Sequence, residues 1–513
     1  MFRCATPASP SKSANGDCVP SQRRVYSHIR ALNLVIPTPI LALAPGRMTN
    51  PTLLSASEIA RLVRGREISP VEVLRACMDR VAEVNPAINA LVTPNRRAED
   101  EARELERRIG AGEDVGPLAG VPVGIKDVTQ VGGVRCTFGS PLFSEYVPEE
   151  DALVVRRLRA AGAIIVGKTN TPEFAAGGNT WNEVFGRTRN PWNPERSAGG
   201  STGGGAAGLA MGMFALAEGT DLGGSLRIPA SFCGVVGLRP SVGLVPTIPT
   251  DYTWDTLQVT GGMARTAADV GLMLQAVAGP SPDAPLSQSV AGRNFAGAAN
   301  GADVRGVRVA YCRDIAGIGI DAEVERVCRG AAFALRDAGA TVDEIELDLA
   351  YGRKAFLALR GLWFVSMLNP HLDRLERFGV NVANNLRAGL STSVQELGAA
   401  EAARKRIRAR FVELFARYDH LLTPTMAVSP FPVVENYPQT VGGQAMETYV
   451  DWLAPTFVLS LTGLPVGSVP AGMDAAGMPC GLQVVGRPFG EERILATMAV
   501  MQALRPIGRP EIG

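Results

Sequence analysis

At 513 residues, 46% of them hydrophobic and 20% charged, the chain carries enough apolar surface for a large core and is not an intrinsically disordered protein. Lys and Arg number 51 against 50 Asp and Glu, a formal net charge of +1, so no strong field draws it to nucleic acid or an anionic membrane. Its eight cysteines are scattered without a C-x-x-C pair, a pattern of buried or incidental thiols in a reducing, cytoplasmic setting rather than of a disulfide framework or metal cluster.

Residues 1–47 differ from the rest: Asp17 is their only acid, and an apolar stretch runs from Ala31 to Ala44. A targeting signal is one reading. Pro37 and Pro39 interrupt the run and Pro45 follows it, so the segment reads as a disordered extension, or as sequence upstream of a true start at Met48. The catalytic domain is then 48–513.

Ser55 and Glu58 form a capping-box pattern, and Ser69, Pro70 and Glu72 repeat it, predicting two helices before Pro86. Charged residues from Arg96 to Ile109 predict an exposed helix stopped at Gly110. Val121–Ile125 and Ala163–Val166 read as buried strands around a helical Asp151–Ala161, a β–α–β unit in a mainly parallel sheet. The uncharged run Ser197–Ala217 has the length of a membrane span, but its glycines favour a loop, Gly199–Gly205, leading into a buried helix, Ala206–Ala217. Thr220–Ser225 is a second tight loop. Pro280–Gly301 reads as a surface connection. A strand at Val307–Tyr311, helices through Val324–Ala338 and Glu401–Arg417, and strand-rich segments at Leu421–Thr425 and Gly481–Val485 continue the α/β pattern.

The chain has three histidines, His28, His371 and His420, none in a metal-binding motif. A Ser-His-Asp triad could draw on His371 or His420, but both read more simply as structural or surface residues. Only five lysines occur, Lys12, Lys126, Lys168, Lys354 and Lys405, and the other 46 basic residues are arginine. Lys126 and Lys168 each follow an apolar run. Arginine cannot give up its proton in a protein, whereas a desolvated lysine can, so either could serve as a base, or each could hold a carboxylate or carbonyl. The loops Gly199–Gly205 and Gly219–Ser225 let several N–H groups converge, as an oxyanion hole requires. Phosphate cradling is the rival, though no G-K-[ST] or dinucleotide fingerprint is present, and plain structural turns stay open for each loop alone.

The motifs Gly124-Ile-Lys126-Asp127, Gly199-Gly-Ser201-Thr-Gly-Gly204 and Gly219-Thr-Asp-Leu-Gly-Gly-Ser225-Leu-Arg-Ile-Pro-Ala230 closely resemble those of the amidase signature family. The resemblance runs from about Met48 to Gly481-Leu-Gln-Val-Val-Gly-Arg487. It implies an α/β fold with a large mixed, twisted sheet covered by helices on both faces, and hydrolysis of a carboxylic amide through an acyl-enzyme, without metal or cofactor. Lys126 matches the family's base, Ser201 the bridging serine, which sits before a cis peptide bond, and Ser225 the nucleophile; Lys168 is then structural. Backbone N–H groups of Leu222, Gly223, Gly224 and Ser225 match the oxyanion hole, with Asp221 and Arg227 as loop-holding residues. Thr202 stands where the family often has a second serine, and retains a hydroxyl.

The same family contains glutaminase-like subunits of tRNA-dependent amidotransferases, which feed ammonia to a partner; that is the alternative reading, with a catalytically silent scaffold a more distant one. The partners implied are a small-molecule amide and a second copy of the chain in a homodimer, with no nucleic acid or membrane. For the substrate pocket the candidates are Gly178, Asn179 and Trp254, from segments that also hold Phe174, Trp181, Tyr252 and Leu257; the aromatics point to an aryl or hydrophobic acyl group.

Overall fold

The structure, a computed structural model, describes residues 50–511; the reading of residues 1–47 lies outside them. Helices begin where the sequence marks them. The Ser55 hydroxyl accepts from the Glu58 N–H at 3.2 Å, and the Glu58 carboxylate accepts from the Ser55 N–H at 2.8 Å, capping Ala56–Arg64. Ser69 and Glu72 cap Pro70–Ile88 in the same way, but this helix carries Pro86 in its last turn and stops only at Asn89, with φ 55°. The charged segment is the helix Ala98–Gly110.

The strands are β1 (Leu91–Pro94), β2 (Pro122–Lys126), β3 (Ile164–Thr169), β4 (Trp181–Asn182), β5 (Gly186–Arg187), β6 (Leu216–Asp221), β7 (Val236–Arg239), β8 (Val259–Ala264), β9 (Arg308–Tyr311), β10 (Thr341–Glu344), β11 (His420–Pro424), β12 (Thr440–Val441), β13 (Gln444–Ala445), β14 (Val466–Met473) and β15 (Pro479–Val485). Eleven form one sheet in the order β1-β3-β2-β6-β8-β7-β14-β15-β11-β9-β10. The β–α–β unit is there: β2 and β3 pair in parallel, with the helix Leu153–Ala160 between them in sequence. The sheet is nevertheless mixed rather than mainly parallel. Pairing is parallel through β3-β2-β6 and through β11-β9-β10, and antiparallel at β1-β3 and from β6 across to β11. Every residue of β2, β3, β6, β7, β8, β11 and β15 is buried. Because successive side chains point to opposite faces, both faces of this sheet are covered.

One expected helix, Ala206–Ala217, ends early and gives way to a strand. The helix after the glycine-rich loop spans only Gly203–Ala210; the chain turns at Gly212, φ 74°, and Leu216–Asp221 becomes β6 in the middle of the sheet. A short run of small and apolar residues suits a buried helix and a buried strand equally, and its neighbours β2 and β8 decide. Pro280–Gly301 contains no helix or strand, as expected of a connection, although Phe295 is fully buried. Three helices, Gly352–Met367, Val380–Ser391 and Val394–Phe415, follow β10; only the second half of the last was expected, although Ser393 and Glu396 form a capping box at its start. What matters for chemistry is the carboxyl edge of the parallel strands β2, β3 and β6, where the chain leaves the sheet and side chains can converge.

Candidate active site

Lys126 is the last residue of β2, and its neighbour Ile125 pairs with Glu218 on β6. Its side chain is fully buried, and Nζ donates to Ser201 Oγ at 2.6 Å and to Thr220 Oγ1 at 3.0 Å. Burial pushes the amine from its ordinary 10.5 down to about 7, against the opposing pull of Glu218 and Asp221. Glu218 is also fully buried; it accepts from the Lys126 N–H at 3.2 Å and from Thr129 Oγ1 at 2.9 Å, and burial raises its pKa above the usual carboxylate value. Lys168, near the end of β3, faces elsewhere: Nζ donates to the Thr129 carbonyl and to Cys136 Sγ at 3.3 Å, with Asp127 at 3.7 Å.

Ser201 lies in the loop before the helix Gly203–Ala210. The cis bond is Gly200–Ser201, on the N-terminal side of this serine rather than after it. Ser225 closes the loop after β6, and its carbonyl accepts from the Thr202 N–H at 3.3 Å, tying the two loops together. Among the described residues the Thr202 hydroxyl is buried without a hydrogen-bond partner, packed against Gly219. Ser225 borders a narrow cavity of about 20 Å³ together with Gly200, Ser201, Thr220, Leu222 and Gly223. Among the described residues its hydroxyl makes no hydrogen bond, so contact between the two serines is not formed in this resting geometry.

The loop Asp221–Arg227 is held from inside. Asp221 accepts from the Gly224 N–H at 2.9 Å, the Leu226 N–H at 3.2 Å, and Arg227 Nε and Nη2 at 3.0 and 2.9 Å. Arg239 Nη1 lies 3.2 Å from the same carboxylate. Burial alone would raise the Asp221 carboxyl, but the two guanidiniums outweigh it and hold it far below the usual range. One expectation is corrected here: the Gly224 N–H is spent on Asp221 and is not free for an oxyanion. The N–H groups of Leu222, Gly223 and Ser225 have no acceptor among the described residues. Gly224 has another duty. With φ 124°, a Cβ there would meet Thr456 Oγ1 at 2.3 Å, while that hydroxyl donates to the Gly223 carbonyl at 2.6 Å.

The pocket candidates separate. Trp254 is 65% exposed and walls neither of the two cavities at the serines. Asn179 is buried as a brace, donating to the Val433 and Glu435 carbonyls at 3.0 and 2.7 Å and accepting from Ser197 Oγ at 2.7 Å. Gly178 lies behind the wall, where a Cβ would strike Trp452 at 2.5 Å; its neighbour Gly177 borders the cavity.

Beyond Ser225 opens a larger chamber of about 310 Å³, lined by Phe138, Phe143, Phe174, Ile248, Trp363 and Met367 among others, and sharing Phe174, Thr220, Gln258 and Trp363 with the narrow cavity. Phe138 and Phe174 stack at 5.4 Å, both with positive φ, a strained backbone of the sort found at binding sites. His371 lines the outer chamber, edge-on to Phe143 at 5.3 Å. His420 is buried on β11 beside Thr497 Oγ1 at 3.1 Å, its ring pushed down to about 4 by burial. Neither bonds to Ser201 or Ser225. Thr220, Gln258, Arg360 and Trp363 were not legible as site residues. Thr220 sits inside a recognisable motif, but the others belong to segments with no local signal. Among the described residues no group of His, Cys, Asp and Glu could hold a metal ion, and no helix is long and apolar enough to cross a membrane.

A near-neutral amine, two hydroxyls and converging N–H groups at the end of an apolar chamber are the parts that acyl transfer uses. The sequence model of the family described as Amidase matches residues 72–495. An acylamidase of Rhodococcus erythropolis is 38% identical over 467 residues, covering 88% of this chain and 96% of the relative. A glutamyl-tRNA(Gln) amidotransferase subunit of Carboxydothermus hydrogenoformans is 36% identical, covering 82% and 91%. Among solved structures, a bacterial aryl acylamidase of the amidase signature family superposes with TM-score 0.82 at 28% identity, over 88% of this chain and 96% of that one. A 6-aminohexanoate cyclic dimer hydrolase gives TM-score 0.80 at 29% identity, over 90% and 99%. The chain belongs to the amidase signature family and is an amide hydrolase.

Proposed function

We propose that Ser225 is the nucleophile, Ser201 the proton relay and Lys126 the base of an acyl-enzyme mechanism within a catalytic domain spanning 48–513. The observation that carries this is the 2.6 Å contact of Lys126 Nζ with Ser201 Oγ, made by an amine that titrates at about 7. When the amine is neutral its lone pair takes the Ser201 proton while Ser201 Oγ takes that of Ser225. Ser225 Oγ bonds to the amide carbon, and the charge that develops on oxygen meets the N–H groups of Leu222, Gly223 and Ser225. The tetrahedral species expels the amine, which leaves with the relayed proton; water then cleaves the ester and releases the acid. The aromatic chamber supports an aryl or other apolar body on the substrate, in keeping with relatives described as acylamidases.

The test is release of ammonia or amine from aliphatic and aryl amides by the purified chain. Ser225→Ala and Lys126→Met should each lower kcat by at least about 10²-fold, and equal turnover in either variant would remove that residue from the scheme. The relatives described as glutamyl-tRNA(Gln) amidotransferase subunits favour a second reading, in which a partner receives the ammonia. Copurification of companion subunits, with free amides left uncleaved by the isolated chain, would select it. A homodimer and a cytoplasmic location complete the proposal; six buried free thiols among the described residues support a reducing compartment, and light scattering and fractionation test the two.

A further inference from the structure

Three arginines are buried among the described residues: Arg227, Arg239 and Arg360. The first two share the Asp221 carboxylate. Arg360 has no carboxylate within salt-bridge distance among the described residues. Its side chain, on the helix Gly352–Met367, is 5% exposed; Nε donates to Asn385 Oδ1 at 2.8 Å and Nη2 to the Tyr449 hydroxyl at 2.7 Å. The rings of Phe364, Tyr449 and Phe356 surround the guanidinium carbon at 5.0, 5.6 and 5.8 Å. All these partners are neutral, and Nη1 has no acceptor among the described residues. A guanidinium stays charged at any working pH, and a buried charge without a counter-ion is costly; three rings and two neutral acceptors offset only part of that.

Arg360 also walls the narrow cavity bordered by Ser201, Ser225, Leu222 and Gly223. It is held in place by Asn385 and Tyr449, which leaves a fixed positive charge beside the site of attack. The cavity is narrow, about 20 Å³, and continues into the outer chamber past Phe174, Thr220, Gln258 and Trp363. We propose that Arg360 is a subsite for a carboxylate, so that the preferred substrate is an amide bearing an apolar body for the outer chamber and a carboxylate that pairs with Arg360. The proposal rests on the reading of the Ser225 cavity as the place of amide cleavage.

Two pairs of chromogenic or fluorescent substrates test it with the full chain. In the first pair the charge is on the acyl side: the p-nitroanilide of glutaric monoacid against the same molecule ending in a carboxamide. In the second it is on the amine side: the butanoyl amide of 4-aminobenzoate against that of 4-aminobenzamide. A charge-assisted hydrogen bond predicts a preference of about tenfold or more in kcat/KM for the charged member of one pair. The gain should appear mainly in KM, fall to near unity in Arg360→Gln and survive in part in Arg360→Lys. Equal rates within both pairs for the unaltered protein, or a preference that persists in Arg360→Gln, overturn the proposal. The unaltered protein alone suffices should the variants fail to fold. If no member of either pair is cleaved and Ser225 is not labelled by a fluorophosphonate, the amide-cleavage reading of the cavity fails, and this proposal falls with it. Cleavage without charge preference fails only the Arg360 assignment.

Discussion

Lys126 and Lys168 stand on adjacent parallel strands, are equally buried, and differ in what their amines meet: hydroxyls of Ser201 and Thr220 for one, a carbonyl and Asp127 for the other. That difference decides which can act, because only the Lys126 amine reaches a serine hydroxyl, and burial holds it below its ordinary value. The base must be unprotonated to act and its amine sits at about 7, so kcat/KM should rise with pH through that value and level off above it. A flat profile from pH 5 to 9 under conditions where chemistry limits the rate would discard Lys126 as the base. Lys126→Arg fixes the charge permanently, and a loss of roughly 10²–10⁴ in kcat is expected.

At the scale of the element, the loop after β6 is a rigid part rather than a flexible one. Asp221 draws Gly224, Leu226, Arg227 and Arg239 to one buried carboxylate. Asp221→Ala leaves two buried guanidiniums without their counter-ion and should cost about 3–5 kcal/mol of stability, read from urea midpoints. Its carboxyl is depressed in the folded state, so its stabilisation is full above the unfolded value near 3.9 and is lost as pH falls below it. Acid unfolding that is unchanged in the variant would contradict this. Gly224→Ala presses a methyl group against Thr456 at a backbone angle that suits glycine. The N–H groups beside it should shift, and kcat should fall on the order of 10²-fold, with KM changing less.

The whole molecule brings together what lies far apart in the chain. The outer chamber takes walls from residues 128–154, 174–175, 246–260 and 363–371. Met367→Trp, which fills part of it, should lower the ratio of kcat/KM for benzanilide to that for acetanilide by about tenfold or more; an unchanged ratio would place the aryl group elsewhere. This chamber was the least legible feature in the sequence. Trp254 and Phe174 looked alike as aromatic residues near the motifs, yet one stands in solvent and the other stacks on Phe138. Leu216 and Ala217 were expected to end a helix and Thr220 and Asp221 to begin a loop, yet Leu216–Asp221 is a strand because β2 and β8 offer it backbone partners on both sides.

The sequence by itself determined the capped helices, the β2–β3 unit, and the serines, lysine and glycines of the active-site motifs, because these depend on residue type and short spacing. Propensity, capping and the need for a residue that can lose a proton are local matters. Only the tertiary structure decided what each buried lysine contacts, which N–H groups stay free once Asp221 has taken one, and that Arg360, 135 positions beyond Ser225, shares its cavity. Those outcomes depend on which side chains packing brings together and which charges it leaves without a partner.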